Sequence, residues 1–448
     1  MKTNRFLSAL LIIVLLIGTF AINVTAEDNI KVFLNGRELS FDVPPQLIND
    51  RTMVPMRKIF ESLGAEVDWE GETQTVTATK ADKKIVMQID NTDILVSGQK
   101  IVLSVPPQLV NSRTLVPVRA VAEGLDADVE WYNNANSVII TTKKTQESSV
   151  VFDPSNVTVS KKNIGTLEWA TQADKKILTG ISSDVIYSFG NNWYYATSNG
   201  VRDTYIEGIF ALLFAEYVDM FGLEVMSYKP IVIYNDANSP YPQTAPLDNF
   251  LLLRLSQDDT DYWAQMIFQM SHEIAHYAFF SFRTDANQDN FDDIAFSEWN
   301  EEIICEAFSL LMLDYAVANW DKCTLSKINP TFNNAVMEYL TDEYNSGEAK
   351  IMKREGNAVS SQEFLSMSDN ADNNRDNHVA ERNYLYDYLK TADPELRAQI
   401  LYIYLYYDET YKYIKYSEWS EDVSSSEFKM FINKVSAIQP SIIKYTIF

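Results

Sequence analysis

Apolar and polar positions change rhythm along the chain, and each rhythm predicts a different kind of element. Leu7 to Ile22 is an almost unbroken apolar run behind Lys2 and Arg5, followed by Val24-Thr25-Ala26 and the acidic Glu27. A basic start, an apolar middle and small residues before a cut describe a secretory signal peptide over residues 1–26. The body is then exported, whether the segment is cleaved after Ala26 or kept as an N-terminal anchor. From about residue 30 the pattern alternates, as in Thr75-Val76-Thr77-Ala78-Thr79 and Ser137-Val138-Ile139-Ile140-Thr141, which predicts half-exposed strands. Farther on, helical spacing takes over. It predicts an amphipathic helix over 204–221, a helix over 261–280 that lacks Pro and Gly, and a helix whose buried stripe is Ile303, Ala307, Leu310 and Leu311. Asn249 to Leu255 reads as a strand just ahead of the second of these. Asp393-Pro394-Glu395 starts a further helix, continued through Tyr402, Tyr406 and Tyr413. No run after the leader reads as long and apolar enough to span a bilayer.

The alternating region is an internal repeat. Val43-Pro44-Pro45-Gln46-Leu47 returns as Val105-Pro106-Pro107-Gln108-Leu109, and Arg51-Thr52-Met53-Val54-Pro55-Met56-Arg57 as Arg113-Thr114-Leu115-Val116-Pro117-Val118-Arg119. Gly36 returns as Gly98 and Trp69 as Trp131. Each copy reads as strand, turn, Pro-Pro segment, short helix, strand, with helices expected over 54–63 and 116–125 and Pro at the second position of each. These units, covering residues 30–142, resemble the bacterial domain named after the N-terminal stalk region of copper amine oxidases. The resemblance rests on the Arg-Thr-x-Val-Pro-x-Arg pattern in both copies, and it implies a spacer or a module that attaches to a cell-wall or surface component. It implies no copper chemistry, because no histidine or cysteine precedes His272. An amine oxidase catalytic domain is also missing: Asn383-Tyr384 is followed by Leu385, not an acid.

The organisation expected is therefore a signal peptide at 1–26, a stalk domain at 27–142 (repeats about 30–90 and 92–142), a polar linker at 143–149 and a larger domain at 150–448. The fold class expected is α+β. Tandem small units of strands plus one short helix come first, then a mainly helical domain with a small sheet before its key helix. Composition narrows the function. The chain has 448 residues, 37 Lys+Arg against 62 Asp+Glu, and a net charge of −25. Loss of the leader removes Lys2 and Arg5 and leaves the body more acidic still. That charge excludes a nucleic-acid partner, which needs a basic face. Two cysteines, Cys305 and Cys323, exclude a disulfide scaffold; they leave open one bridge or two buried thiols.

Two of the three histidines stand in His272-Glu273-Ile274-Ala275-His276. On a helix they lie one turn apart on one face, close enough to share an ion. Neutral imidazoles suit Zn²⁺ with an open water position, and Glu273 sits where it can take that water's proton. A third ligand is needed. Phe279 and Phe282 exclude the metzincin pattern. The next helical segment, Glu298-Trp299-Asn300-Glu301-Glu302-Ile303-Ile304-Cys305-Glu306, offers acids, and Glu302 and Glu306 lie one turn apart. One of them would ligate the metal while the other steadies a ligand histidine.

Over residues 262–314 the chain resembles the gluzincins, zinc peptidases with His-Glu-x-x-His on one helix and a glutamate ligand on the next. The resemblance implies His272, His276 and Glu302 as ligands of one Zn²⁺ per chain, Glu273 as general base and Glu306 as the acid behind a ligand. Glu301 is the alternative ligand, with Glu298 behind it. The neighbour of the ligand departs from the family's Asn, being Glu301, and 25 residues separate His276 from Glu302, a long spacing. The resemblance also implies a strand that lines the cleft, matched to 249–255, and a His or Tyr that donates to the transition state. His378, Tyr384 and Arg382 are the candidates, and no motif chooses among them. The loop Asp285–Asn290 lacks the Gly and closing Glu of a calcium loop, so Ca²⁺ there is unsupported. The function expected is a secreted or cell-surface zinc peptidase acting on a peptide or protein substrate. The alternative is an inactive surface binding protein that keeps the fold as a scaffold.

Overall fold

The structure is a computed structural model, and it describes residues 30–142, 153–257, 262–281, 295–346, 379–407 and 414–438. The signal-peptide and linker readings, the 284–293 loop and His378 lie outside these residues. The chain is α+β: a β-rich N-terminal region is followed by a mainly helical C-terminal region.

The first copy runs β1 (Lys31–Leu34), β2 (Arg37–Glu38), β3 (Gln46–Ile48), β4 (Arg51–Pro55), α1 (Met56–Ser62), β5 (Glu66–Glu70) and β6 (Thr75–Lys80). After β7 (Lys83–Gln88), the second runs β8 (Asp93–Val96), β9 (Gln99–Val102), β10 (Gln108–Val110), β11 (Arg113–Pro117), α2 (Val118–Glu123), β12 (Ala127–Tyr132) and β13 (Ser137–Thr142). The repeated Gly36 and Gly98 close tight hairpins with φ of 84° and 82°. Asn49-Asp50 and Asn111-Ser112 turn the next hairpins with φ between 48° and 62°, a left-handed backbone that short polar side chains tolerate.

The expected helices over 54–63 and 116–125 begin later. Val54 and Val116 are strand residues, paired with each other where β4 meets β11 antiparallel. Pro55 and Pro117 cap the helices and do not sit inside them. The reason is tertiary: the same motif from both copies forms one sheet, ordered β10-β11-β4-β3. The copies also exchange strands. β1 lies parallel to β13, so the first strand of one copy completes the sheet of the other. Val32, Phe60, Ile85, Val116 and Ile140 share one core, which makes the two copies a single folded unit.

The C-terminal region opens with β14 (Ser160–Asn163), α3 (Gln172–Ile181), β15 (Val185–Gly190) and β16 (Trp193–Tyr195). Then come α4 (Thr204–Phe221), α5 (Leu223–Met226), β17 (Ile231–Asn235), β18 (Gln243–Pro246) and β19 (Leu251–Leu255). The sheet order is β14-β15-β16-β17-β19-β18, with β16, β17 and β19 parallel and β18 antiparallel at the edge. The strand expected to line the cleft, β19, is therefore internal, and β18 holds the edge. The long helices are α6 (Trp263–Phe280), α7 (Ala295–Asn319), α8 (Asn333–Asn345) and α9 (Val379–Thr391). α10 (Pro394–Gln399), a 3-10 segment at Ile400–Tyr406, α11 (Tyr416–Asp422) and α12 (Ser426–Ile438) follow.

α4 is not amphipathic in place. Ile206, Phe210, Leu213, Phe214 and Tyr217 are buried together with Leu212 and Ala211, so its apolar residues face the core all round. The stretch Glu301–Lys322, which is most of α7 and the 3-10 turn after it, has the length and apolarity of a bilayer span, contrary to the sequence reading, and 72% of its apolar window is buried inside the protein. Cys305 and Cys323 are free, buried thiols. Cys305 lies about 21 Å before the end of α7 at Asn319, at 1.5 Å per residue, and Cys323 lies beyond that end, so the helix holds the two thiols apart.

Candidate metal centre

α6 forms because residues 263–280 contain no Pro or Gly, and it packs against α7, β18 and β19. Tyr217 on α4 donates to the Ser271 carbonyl at 2.8 Å, and Tyr277 donates to the Lys229 carbonyl at 2.6 Å, which fixes the rotation of α6 about its axis. Thr244 on the edge strand donates to the Glu273 carbonyl at 3.2 Å.

That rotation brings three of the expected residues together. His272 Nε2 and His276 Nε2 are 3.1 Å apart. The Glu302 carboxylate spans both, with Oε2 3.1 Å from His272 Nε2 and Oε1 3.1 Å from His276 Nε2. Tetrahedral bonds of about 2.0–2.1 Å to one ion would set ligand atoms about 3.3 Å apart. Two nitrogens and a carboxylate oxygen are the donor chemistry Zn²⁺ takes, so the residues present fit such an ion.

Glu301, the alternative ligand, faces elsewhere. Its Oε1 meets His276 Nδ1 at 2.5 Å, and its other oxygen accepts from the Tyr404 hydroxyl. Glu301 therefore takes the place beside a histidine of the motif that was expected of Glu306. Glu306 is buried beside Arg382, its Oε2 3.8 Å from Nη1. Adjacent residues on a helix point about 100° apart, so the pose of α7 against α6 decides which acid meets the imidazole. Arg382 also binds Glu343, by its carbonyl at 2.5 Å and its carboxylate at 3.4 Å, and is thus tied to the end of α8. Tyr384 is half-buried on the same helix, α9. A second group of ligand-type atoms, from His276, Glu301 and Cys305, lies within 4.8 Å and shares His276 with the first.

The electrostatics follow from burial and from the crowding of acids. Burial raises the Glu273 pKa, with the two imidazoles only partly opposing it. Its Oε2 has no hydrogen-bond partner among the described residues. Burial acts to raise the Glu302 carboxyl too, but the two imidazoles outweigh it and hold the group well below the usual range. Burial acts to lower His276, yet Cys305, Glu302 and Glu301 beside it hold the imidazole well above its ordinary value. Burial pushes the Cys305 thiol up to about 12. Near neutral pH the thiol is uncharged, so the two carboxylates carry the effect on His276.

Tyr404 was missed in sequence. The expected helix through Tyr402, Tyr406 and Tyr413 instead tightens to 3-10 at Ile400, with Tyr413 outside the described residues. No motif marks Tyr404; only its approach to Glu301, some hundred residues earlier, reveals it.

The chain is 29% identical over 145 residues to a protein named "Protease inhibitor" from Brevibacillus choshinensis. The match covers 31% of this chain and 43% of that relative's length, so the chain spans less than half of it. No solved structure matches. Among protein families, residues 33–140 match the copper amine oxidase N-terminal domain, and that is the family the tandem repeats belong to.

Proposed function

We propose that the C-terminal region is a zincin-like, gluzincin-type zinc peptidase, exported and held at or near the cell surface by the N-terminal repeats. The observation that carries this reading is the convergence of His272, His276 and Glu302 on one point beside the buried Glu273. A sheet that ends on an antiparallel edge strand over the motif helix supports it further. Zn²⁺, held by those three side chains, would supply polarisation of the scissile carbonyl and of the attacking water. Glu273 accepts a proton from that water and returns it to the leaving amine, a task suited to a carboxyl whose pKa burial has raised. The outer edge of β18 offers backbone groups to an extended substrate. Glu301, on Nδ1, keeps the His276 ring turned with Nε2 toward His272 and Glu302, where those side chains would hold the ion.

The test is cleavage of a broad peptide library by metal-loaded wild type and Glu273→Gln side by side. Hydrolysis should fall by roughly 10²–10⁴-fold in the variant while metal content stays the same. An uncut library with metal bound would favour the scaffold reading instead.

A further inference from the structure

The 3-10 segment Ile400–Tyr406 carries three alternate tyrosines, and each leaves it in a different direction. At three residues per turn, positions i, i+2 and i+4 fall on three separate faces; in an α-helix the first and last would share one. Tyr402 points to the N-terminal repeats. Its ring packs edge-on against Phe33 and Tyr132, at 6.2 and 6.0 Å between centroids, and its hydroxyl meets the backbone of Gly36. Tyr406 points to α11, where it stacks on Trp419 and donates to Asp422 at 3.0 Å. The same Asp422 carboxylate accepts from the backbone N–H groups of Asn134 and Ala135 in the β12–β13 turn, at 2.9 and 3.2 Å. Tyr404 points to the metal centre. Its ring packs edge-on against Phe279 of α6, 5.4 Å between centroids, and its hydroxyl donates to Glu301, which holds His276.

The repeats thus grip the segment on both sides of the one tyrosine that reaches the centre. Resting on the zinc-centre reading, we propose that Tyr404 is a positioning residue for the metal ligand His276, and that the N-terminal repeats hold it there through Tyr402 and Asp422. Glu301 has two oxygens. With one taken by the hydroxyl, the other is fixed on His276 Nδ1 and the ring cannot swing. The repeats then act as a brace for the catalytic region as well as a spacer.

The experiment uses the full chain and Co²⁺ as the probe, read by its visible spectrum and by chelator competition. Tyr404→Phe keeps the ring on Phe279 and removes only the donor. It should weaken Co²⁺ binding about 10–100-fold, as loss of such outer partners does, and shift the bound-ion spectrum. The thermal midpoint of the metal-free protein should not move, which separates positioning from general stability. Asp422→Ala should shift the spectrum in the same sense; Asp422→Asn, similar in size, serves if the alanine variant does not fold. Tyr404→Phe with wild-type spectrum and affinity overturns the proposal, and Asp422 variants indistinguishable from wild type overturn the part assigned to the repeats. Wild type that takes up neither Co²⁺ nor Zn²⁺ overturns the metal-centre reading and this proposal with it.

Discussion

Metal uptake should release one proton per ion from His276. In the metal-free protein that imidazole has a carboxylate at each nitrogen: Glu301 at 2.5 Å from Nδ1 and Glu302 at 3.1 Å from Nε2. Both acids favour the imidazolium, and its pKa stands well above the ordinary value of 6.5. An ion needs the Nε2 lone pair, so the Nε2 proton must leave, while the Nδ1 proton stays with Glu301. Glu302 adds no proton, because its carboxyl is already ionised. One proton displaced means that apparent affinity rises about tenfold per pH unit, or ~1.4 kcal/mol, for as long as His276 is protonated. Chelator competition between pH 7 and 8, with calorimetry in buffers of different ionisation heat to count protons, measures this directly. Binding that is flat with pH and releases no proton would refute the reasoning. The same shift sets the response of the metal-free protein. The stabilisation from charged His276 is full below its unfolded value near 6.5 and is lost as pH rises through the elevated folded value. That from Glu302 is present above the unfolded carboxyl value and is lost as pH falls through its depressed folded value.

Glu302→Gln removes a ligand charge, and since outer partners alone are worth about 10–100-fold, Zn²⁺ affinity should fall by more than that; affinity equal to wild type in chelator competition would point to another third ligand. Cys305 and Cys323 are free and buried, so a thiol reagent should titrate both in denaturant and neither in the native protein; a native disulfide seen by mass spectrometry would contradict this. Phe308 on α7 is fully buried against Tyr217 and Phe221, and Phe308→Ala should cost about 3–5 kcal/mol in urea unfolding. A loss below about 1 kcal/mol would mean that the site collapses or is less packed than the structure has it.

What the sequence determined by itself is what short-range chemistry controls. The repeat offset survives from β1 to β6 and again from β8 to β13, because turns such as Asn35-Gly36 and Ser97-Gly98 are written in adjacent residues. The helix expected over 261–280, observed at Trp263–Phe280, was legible from its lack of breakers, and His272 and His276 share a face by helical geometry alone. What only the tertiary structure decided is which surface meets which. Val54 and Val116 leave their expected helices because each copy's motif pairs with the other's. β18, not β19, takes the edge because β19 pairs with β17 on one side and with β18 on the other. Glu301, not Glu306, meets His276, and Tyr404 arrives from the far end of the chain, because the pose of one helix on another sets those contacts. Period and spacing place a residue on its own element; the packing of elements, fixed by buried apolar surface far from the centre, places it in the site.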